Sequence, residues 1–236
     1  RYNVCVRIDG FLSPNGDITL IDSNTIPGMS PTSLIFRQVA EIGLDPTRYL
    51  TFMIYRSLQE RLSSGKRPYR LRELLHNLRQ KLEDKQESNK TKAKRIILIP
   101  SYGDLKVIAL REARHIYTQL AANQGTLPYL VFVKQTSQKS YEVYRISVSY
   151  LLQPSLEAIS KRLEKPEHPI LGDTRERAAS ITSQFSPDFV PLPQKLNPEE
   201  LRELSESVYM PVADNSLLSI TLRKDLENAG MTYYEA

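Results

Sequence analysis

The chain of 236 residues is 40% hydrophobic and 25% charged, as expected of a soluble globular protein with one large domain or two small ones. Its longest apolar runs, at residues 95–100 and 127–133, are far shorter than the roughly 20 residues of a membrane-spanning helix, so we expect no membrane span. The net charge of +5 raises the question of nucleic acid. The basic stretch at residues 66–94 is interspersed with acidic residues at helical spacing, which favours a solvated helix, and we expect no nucleic-acid partner.

Two β-rich runs open the chain, at residues 2–12 and 18–21. The residues between them, Ser-Pro-Asn-Gly-Asp at 13–17, form the kind of turn cluster that joins antiparallel strands, so we predict a hairpin. Because residue 1 is not a methionine and the first residues already have strand character, we expect the chain to be a fragment of a longer protein.

Two helices should follow the hairpin. The first opens near Pro31, which suits the first turn of a helix, carries a helical apolar face and ends at Gly43. The second opens at Asp45, carries apolar residues along one side and fades at residues 63–65. We therefore predict a first domain at residues 1–65.

A third helical segment should connect two parts of the chain. Within residues 66–94, leucines recur at spacings of three and four, and the pattern dissolves into a polar tract at 85–94. We interpret residues 66–94 as a helical, charged linker.

The pattern changes at residue 95, where a buried strand at 95–100, a helix at 107–123 and a strand at 129–133 predict a βαβ unit. We therefore expect residues 95–236 to form an α/β domain with a mainly parallel sheet. Its further elements are predicted as a strand at 141–147, helices at 156–163 and 173–184, a helix opened at 197–200, a strand at 208–212 and a helix at 217–229.

Four polar residues of the predicted hairpin are candidates for a functional site. Strand side chains alternate between faces, so Arg7 and Asp9 share one face of the first strand, and Asp22 and Asn24 share one face of the second. Mg²⁺ prefers oxygen ligands and usually binds through a couple of carboxylates together with substrate phosphates. On spacing alone, the alternative that these are solvent-facing strand and turn residues is equally good.

A longer pattern around these residues resembles a known family. Residues 6–44 contain an Arg-x-Asp strand, a turn, an acid-x-Asn-Thr-x-Pro-Gly-Met run and a Ser-Leu pair. This order and spacing resembles the closing segment of the D-alanine–D-alanine ligase family, within the ATP-grasp superfamily. The resemblance implies that residues 1–65 are the C-terminal part of an ATP-grasp domain, an α+β start to an α/β chain.

The resemblance also implies roles for individual residues. Asp9, Asp22 and Asn24 would bind Mg²⁺, with Mn²⁺ as an alternative metal, and the metal would bridge the phosphates of ATP. The other two roles concern the substrates: Arg7 and the backbone of Gly28 would stabilise charge at the reacting carboxyl carbon, and Ser33 and Leu34 would hold the carboxylate of the second amino acid.

The implied reaction forms a dipeptide for peptidoglycan in the bacterial cell wall. ATP phosphorylates the carboxylate of a first D-alanine, and the amine of a second D-alanine displaces the phosphate. Two positions depart from the family pattern: Asp22 stands where Glu is usual, and Gly10 stands where an aromatic residue is usual. Asp can also bind Mg²⁺, but another amino acid or hydroxy acid remains an alternative substrate.

Residues 95–236 resemble the same family again, but at its opening domain. The first strand of that domain corresponds to residues 96–100, its loop and helix to residues 101–114, and its second strand to residues 127–133. The family's glycine-rich loop, with its substrate-binding Glu, is replaced here by residues 100–105. We expect a degenerate, Rossmann-like pre-ATP-grasp domain with a structural role, in a tandem protein.

Two functions of different classes follow from these patterns. The first is part of an ATP-dependent ligase, inactive as this fragment alone, and the second is a non-catalytic ATP-grasp-like scaffold or regulatory module. The single cysteine, Cys5, allows no intrachain disulfide and fits the cytoplasm. His76, His115 and His168 are too scattered to indicate a zinc site. Ligases of this family are often dimers, so a homodimer is an expected state.

Overall fold

The computed structural model describes residues 4–25, 28, 33–65, 68–89, 91–103, 106–123, 125–205, 207–210 and 216–235. Several sequence predictions fall outside these ranges: the strand start at 2–3, the helical turn at Pro31, linker residues 66–67 and 90, loop residues 104–105 and the strand end at 211–212. No helix among the described residues is long and apolar enough to cross a membrane.

The chain opens with the predicted hairpin, which we call the ribbon. Its strands are β1 (Arg7–Leu12) and β2 (Ile18–Asn24), and they pair antiparallel. In the turn, the Ser13 amide donates to the Asp17 carbonyl at 2.9 Å, and the Asp17 amide donates to Ser13 Oγ at 3.1 Å. Gly16 has φ +88°, a left-handed conformation that favours glycine.

A β-bulge interrupts the ribbon between Asp9 and Gly10. Asp9 lies opposite Asp22, but Gly10 lies opposite Leu20, so Ile21 is the extra residue. A side chain at position 10 would place its Cβ 2.7 Å from the carbonyl oxygen of Thr19, closer than Cβ atoms normally approach an oxygen. This close approach gives a physical reason for glycine at this position.

Three helices follow, and each prediction is confirmed in outline. They are α1 (Leu34–Ala40), α2 (Pro46–Ser63) and α3 (Pro68–Asn89). Asp45 caps α2, because its Oδ1 accepts from the Arg48 amide at 2.9 Å. Helix α3 runs further into the polar tract than predicted, where Gln86 Nε2 donates to the Gln184 carbonyl at 2.7 Å. This long-range hydrogen bond stabilises the last turns of α3, whose polar composition alone would predict an irregular segment.

A six-stranded sheet forms the centre of residues 93–235, in the order β6-β5-β4-β3-β7-β8. The strands are β3 (Ala93–Pro100), β4 (Thr126–Gln135), β5 (Tyr141–Ile146), β6 (Gln194–Leu196), β7 (Ser207–Met210) and β8 (Thr232–Glu235). The predicted βαβ unit is confirmed, because β3 pairs parallel with β4 and helix α4 (Lys106–Ala122) connects them.

The sheet is mixed, so the predicted parallel continuation through β5 is wrong. Strand β5 pairs antiparallel with both β4 and β6, whereas β7 pairs parallel with β3 and β8. The reason is the short connection at residues 136–140, where the Thr136 amide donates to the Ser140 carbonyl at 3.0 Å. Such a hairpin loop reverses the chain and leaves no room for the crossover that a parallel strand requires.

The remaining helices cover the two faces of the sheet. They are α5 (Val148–Leu151), α6 (Leu156–Glu164), α7 (Pro169–Arg177), α8 (Ala179–Phe185), α9 (Pro198–Leu204) and α10 (Leu217–Asn228). The predicted helix at 173–184 is two helices instead, separated at Ala178, and the first begins earlier because His168 Nδ1 accepts from the Ile170 amide. The predicted opening at 197–200 is confirmed by a capping box between Asn197 and Glu200.

Helices α1 and α2 pack against the α/β layer rather than standing apart from it. Ala40 belongs to the core between α4, α5, α6 and the sheet. Ser186 Oγ donates to the Gly43 carbonyl at 2.6 Å, and Arg48 Nη2 donates to both oxygens of Asp188, at 2.9 and 3.1 Å. Gly43 itself has φ +86°, and a Cβ there would lie 2.5 Å from Phe189 Cγ. These contacts hold the first helices on the sheet layer.

Candidate functional site

The four candidate residues of the ribbon lie on one face. Arg7 lies directly opposite Asn24, and Asp9 lies directly opposite Asp22. Directly opposite residues of an antiparallel pair point to the same side, with Cβ atoms roughly 5 Å apart. The register therefore brings together the two pairs that the sequence put on separate strands.

Each carboxylate of this quartet faces a donor on its own strand. Arg7 donates to Asp9 Oδ2 from Nη2 at 2.9 Å and from Nε at 3.1 Å. Asn24 Nδ2 donates to Asp22 Oδ2 at 3.0 Å, and the Ser23 amide donates to Asp22 Oδ1 at 2.8 Å. About half of the Arg7 and Asp9 side chains is exposed, at 53% and 48%. The carboxylates are thus oriented but remain open to a ligand.

The oxygen atoms of this face fit a hard cation. Two carboxylates directly opposite each other repel, and a cation between them would remove that repulsion. The described residues contain no group of three or more His, Cys, Asp or Glu side chains that could hold a metal ion. Asp9, Asp22 and Asn24 therefore supply two carboxylates and one amide, and further oxygens, such as those of substrate phosphates, would have to complete a Mg²⁺ site.

The candidate substrate residues lie at and before the start of α1. Ser33 immediately precedes α1, with φ −64° and ψ 152°, yet its side chain does not cap the helix. Its Oγ is buried and has no hydrogen-bond partner in the part of the chain that the structure describes. The Leu34 side chain is 70% exposed, and a Cβ at Gly28 would meet no atom of the described residues within 4 Å. Leu34 and Gly28 are thus accessible among the described residues, whereas Ser33 Oγ would have to be uncovered to meet a ligand, and the roles of all three stay predictions.

Sequence reasoning missed a contact at the base of the ribbon. Cys5 Sγ lies 2.9 Å from the Tyr49 hydroxyl, and the two residues are 44 positions apart in sequence. Tyr49 is buried in a cluster with Phe36, whose ring it meets edge-to-face at 5.9 Å. No local sequence pattern predicts this contact, because a cysteine and a tyrosine 44 positions apart do not form a recognisable motif.

Helix α2, which carries Tyr49, is itself fixed by a polar network. Burial by itself lowers the pKa of Arg48, but the charges of Asp188 and Asp45 and the hydrogen bond to Asp188 raise it above its ordinary value. The Tyr117 hydroxyl donates to Asp45 Oδ2 at 3.3 Å, and burial, followed by the charge of Asp45, raises the pKa of Tyr117. The network therefore keeps a charged arginine and a neutral phenol at the N-terminus of α2.

Comparison with known proteins gives matches in the first part of the chain. Residues 2–55 match the family model described as D-ala D-ala ligase C-terminus. The chain is 43% identical over 49 residues to a D-alanine–D-alanine ligase of Azobacteroides pseudotrichonymphae, covering 21% of this chain and 15% of that protein. It is 49% identical over 39 residues to the Desulfovibrio desulfuricans enzyme, covering 16% and 13%.

A third D-alanine–D-alanine ligase, from Porphyromonas gingivalis, is 40% identical over 55 residues, covering 23% of this chain and 17% of that protein. The similar stretch thus spans 13% to 17% of the length of these curated relatives. No solved structure matches the chain.

Proposed function

We propose that the full-length protein is an ATP-dependent carboxylate–amine ligase that joins two D-alanine molecules through an acyl phosphate, because residues 2–55 match the family model described as D-ala D-ala ligase C-terminus. The observation that carries this proposal is the cross-strand register, which puts Arg7, Asp9, Asp22 and Asn24 on one face of the ribbon. The ligase names of the similar proteins support the same reaction class.

The charged end of the site has two tasks in this proposal. Asp9, Asp22 and Asn24 would hold Mg²⁺, which when bound neutralises charge on the phosphates of ATP. Arg7 carries a permanent positive charge on the same face, and its bonds to Asp9 orient the guanidinium. Together with the backbone N–H of Gly28, it would stabilise the negative oxygen that develops at the reacting carboxyl carbon.

The substrate end would bind the second amino acid. Ser33 Oγ is a buried hydroxyl without a described partner, and such groups are rare unless a ligand or water completes them. We propose that it donates to the carboxylate of the second D-alanine, with Leu34 beside it. The amine of that molecule would then attack the acyl phosphate, and the protein's contribution is positioning together with electrostatic stabilisation.

We further propose that the ribbon and helices α1 and α2 are the end of an ATP-grasp domain, followed by a linker and a pre-ATP-grasp-like domain at 95–236. The dipeptide would serve peptidoglycan synthesis in the cytoplasm, and the enzyme would be a homodimer. The family match covers only a small part of its relatives' length, so this chain by itself should not turn over substrate.

The test measures phosphate release from Mg-ATP by the full-length protein on addition of D-alanine. Asp22→Ala and Asn24→Ala should each lower turnover at least roughly a hundredfold, as expected when a group that stabilises transition-state charge is removed. Asp17→Ala is the matched control, because Asp17 lies in the ribbon's turn and contacts Ser13 only through its backbone. A folded parent without turnover on any amino acid would instead support the scaffold or regulatory module.

A further inference from the structure

The ribbon that carries the charged residues has little support of its own. All residues of β1 are exposed, and so are those of β2 apart from the partly buried Asn24. Within the described part of the chain, extensive contacts of each strand are with the other strand. The orientation of the ribbon must therefore be set largely where the chain enters and leaves it. In the entering segment, residues 4–6, the Cys5 side chain is anchored to Tyr49.

Tyr49 contacts Cys5 and also contacts α1, the helix that begins at the proposed substrate residues. Its hydroxyl lies 2.9 Å from Cys5 Sγ, two positions before Arg7. Its ring meets the Phe36 ring edge-to-face, with centroids 5.9 Å apart and planes at 87°. Phe36 lies in the first turn of α1, three positions after Ser33. One buried side chain thus touches the supports of both halves of the proposed site.

The support beneath Tyr49 is rigid. Tyr49 is only 4% exposed, and Phe36 only 3%. The Tyr49 amide donates to the Asp45 carbonyl at 2.9 Å, and Arg48 fastens the same turn of α2 to Asp188. A side chain on such a base can fix the position of a segment that it holds.

We propose that Tyr49 is a positioning residue, whose bond to Cys5 and ring contact with Phe36 set the ribbon's charged face relative to the start of α1. This inference rests on the proposed ligase function. Buried tyrosine hydroxyls usually have a partner, and the thiol of Cys5 is the one that this hydroxyl finds. Burial, followed by the bond to Cys5, raises the pKa of Tyr49.

The first experiment is a double-mutant cycle in the full-length enzyme. Tyr49→Phe and Cys5→Ala should each lower kcat roughly fivefold, the factor that corresponds to about one hydrogen bond. The double variant should be no worse than either single variant, and Cys5→Ser, which keeps a hydrogen-bonding group, should restore most of the rate. If the two losses multiply, Cys5 and Tyr49 act independently and the proposed bond between them does not set the rate.

The matched control is Tyr55→Phe. Tyr55 lies on the same helix and in the same buried cluster, but its hydroxyl accepts from Arg79 Nε at 3.1 Å, on the side of α3. This control should lower the melting temperature about as much as Tyr49→Phe while leaving kcat unchanged. An equal loss of kcat in both phenylalanine variants would overturn the positioning role.

The second experiment measures amide hydrogen exchange in the 236-residue chain itself and needs no activity. Residues 4–12 should exchange faster in Tyr49→Phe and in Cys5→Ala, while β3 is unchanged. Unchanged exchange would overturn the proposed tie, and faster exchange with a parental kcat would overturn its role in positioning. If the full-length parent joins no amino acids, the ligase proposal fails, and the exchange data still decide whether Tyr49 holds the ribbon.

Discussion

Asp9 lies directly opposite Asp22 on an exposed face of the ribbon, at the point where the bulge interrupts the pairing. Like charges at directly opposite positions destabilise a strand pair, typically by a few tenths to about 1 kcal/mol. Arg7 and Asn24 compensate in part, because each donates to the aspartate on its own strand. The pair therefore reduces local stability at the place where the proposed function needs negative charge.

This relationship predicts that Asp22→Asn stabilises the ribbon while it removes activity. The amide removes one charge and also one of the two oxygens that accept from Ser23 and Asn24, but water can replace that acceptor because Asp22 is exposed. The ribbon should therefore gain about 0.5 kcal/mol of local stability, and the full-length enzyme should lose turnover. Hydrogen exchange of the ribbon amides measures the gain. In 1 M salt the gain should shrink, because exposed charges are screened. Asp17→Asn serves as the control, and an equal gain there would exclude the cross-strand repulsion.

Position 10 should tolerate no side chain. In Gly10→Ala the new Cβ would meet the Thr19 carbonyl oxygen, so the bulge must open and the ribbon amides should exchange faster. The global unfolding temperature should hardly change, because the side chains of β1 and β2 are exposed, apart from the partly buried Asn24, and add little to the buried core. Gly28→Ala is the control, because a Cβ there would meet no atom of the described residues within 4 Å. Unaltered exchange in Gly10→Ala would contradict the register described here.

Gly43 should be a sensitive position in the contact between α1 and the sheet layer. Gly43→Ala combines a left-handed backbone, which costs about 1–2 kcal/mol, with a clash against Phe189, for a total of roughly 3 kcal/mol. Gly65→Ala has the same kind of backbone, with φ +73°, but meets no described atom within 4 Å, so it should cost only the backbone part. Urea denaturation measures both. Adding Phe189→Ala to Gly43→Ala should relieve the clash, and an additive loss would exclude it.

Alkaline pH should unfold the protein partly through Tyr117. Burial, followed by the charge of Asp45, raises the pKa of Tyr117 above its unfolded value near 10, so its contribution to stability is complete below about pH 10 and is lost as pH rises further. In Tyr117→Phe the free energy of unfolding should fall less steeply with pH than in the parent. The difference should show between roughly pH 9.5 and 11, where tyrosine ionises in the unfolded chain. Tyr69→Phe, at a position that is 85% exposed, is the control and should follow the parent.

Local signals in the sequence predicted most of the larger elements. The Pro-Asn-Gly cluster in the ribbon's turn, Asp45 before Pro46 and Asn197 before Pro198 each act within a few residues, and each marks an observed turn or helix start. The cross-strand register of the candidate site does not follow from the turn alone, because the turn's register would place Asp9 opposite Ile21, and the bulge shifts Asp9 to a position opposite Asp22.

Other features had no local signal. Strands β6 and β8 are short edge strands without an apolar run, and they form only because a neighbouring strand offers its free edge. The bonds of Arg48 to Asp188 and of Cys5 to Tyr49 join residues 140 and 44 positions apart. Such contacts result from packing of the whole fold, and only the packed fold brings these residues together.

The separation of the ribbon from the buried clusters has an evolutionary consequence. Selection for a folded chain acts on the sheet and its helices, whereas selection for chemistry acts on a few exposed polar residues whose substitution has little effect on the stability of the core. Substitutions in the quartet can therefore accumulate in a lineage without proteolytic penalty once the reaction is no longer needed. Descendants of such a protein would keep their shape long after they had ceased to make product.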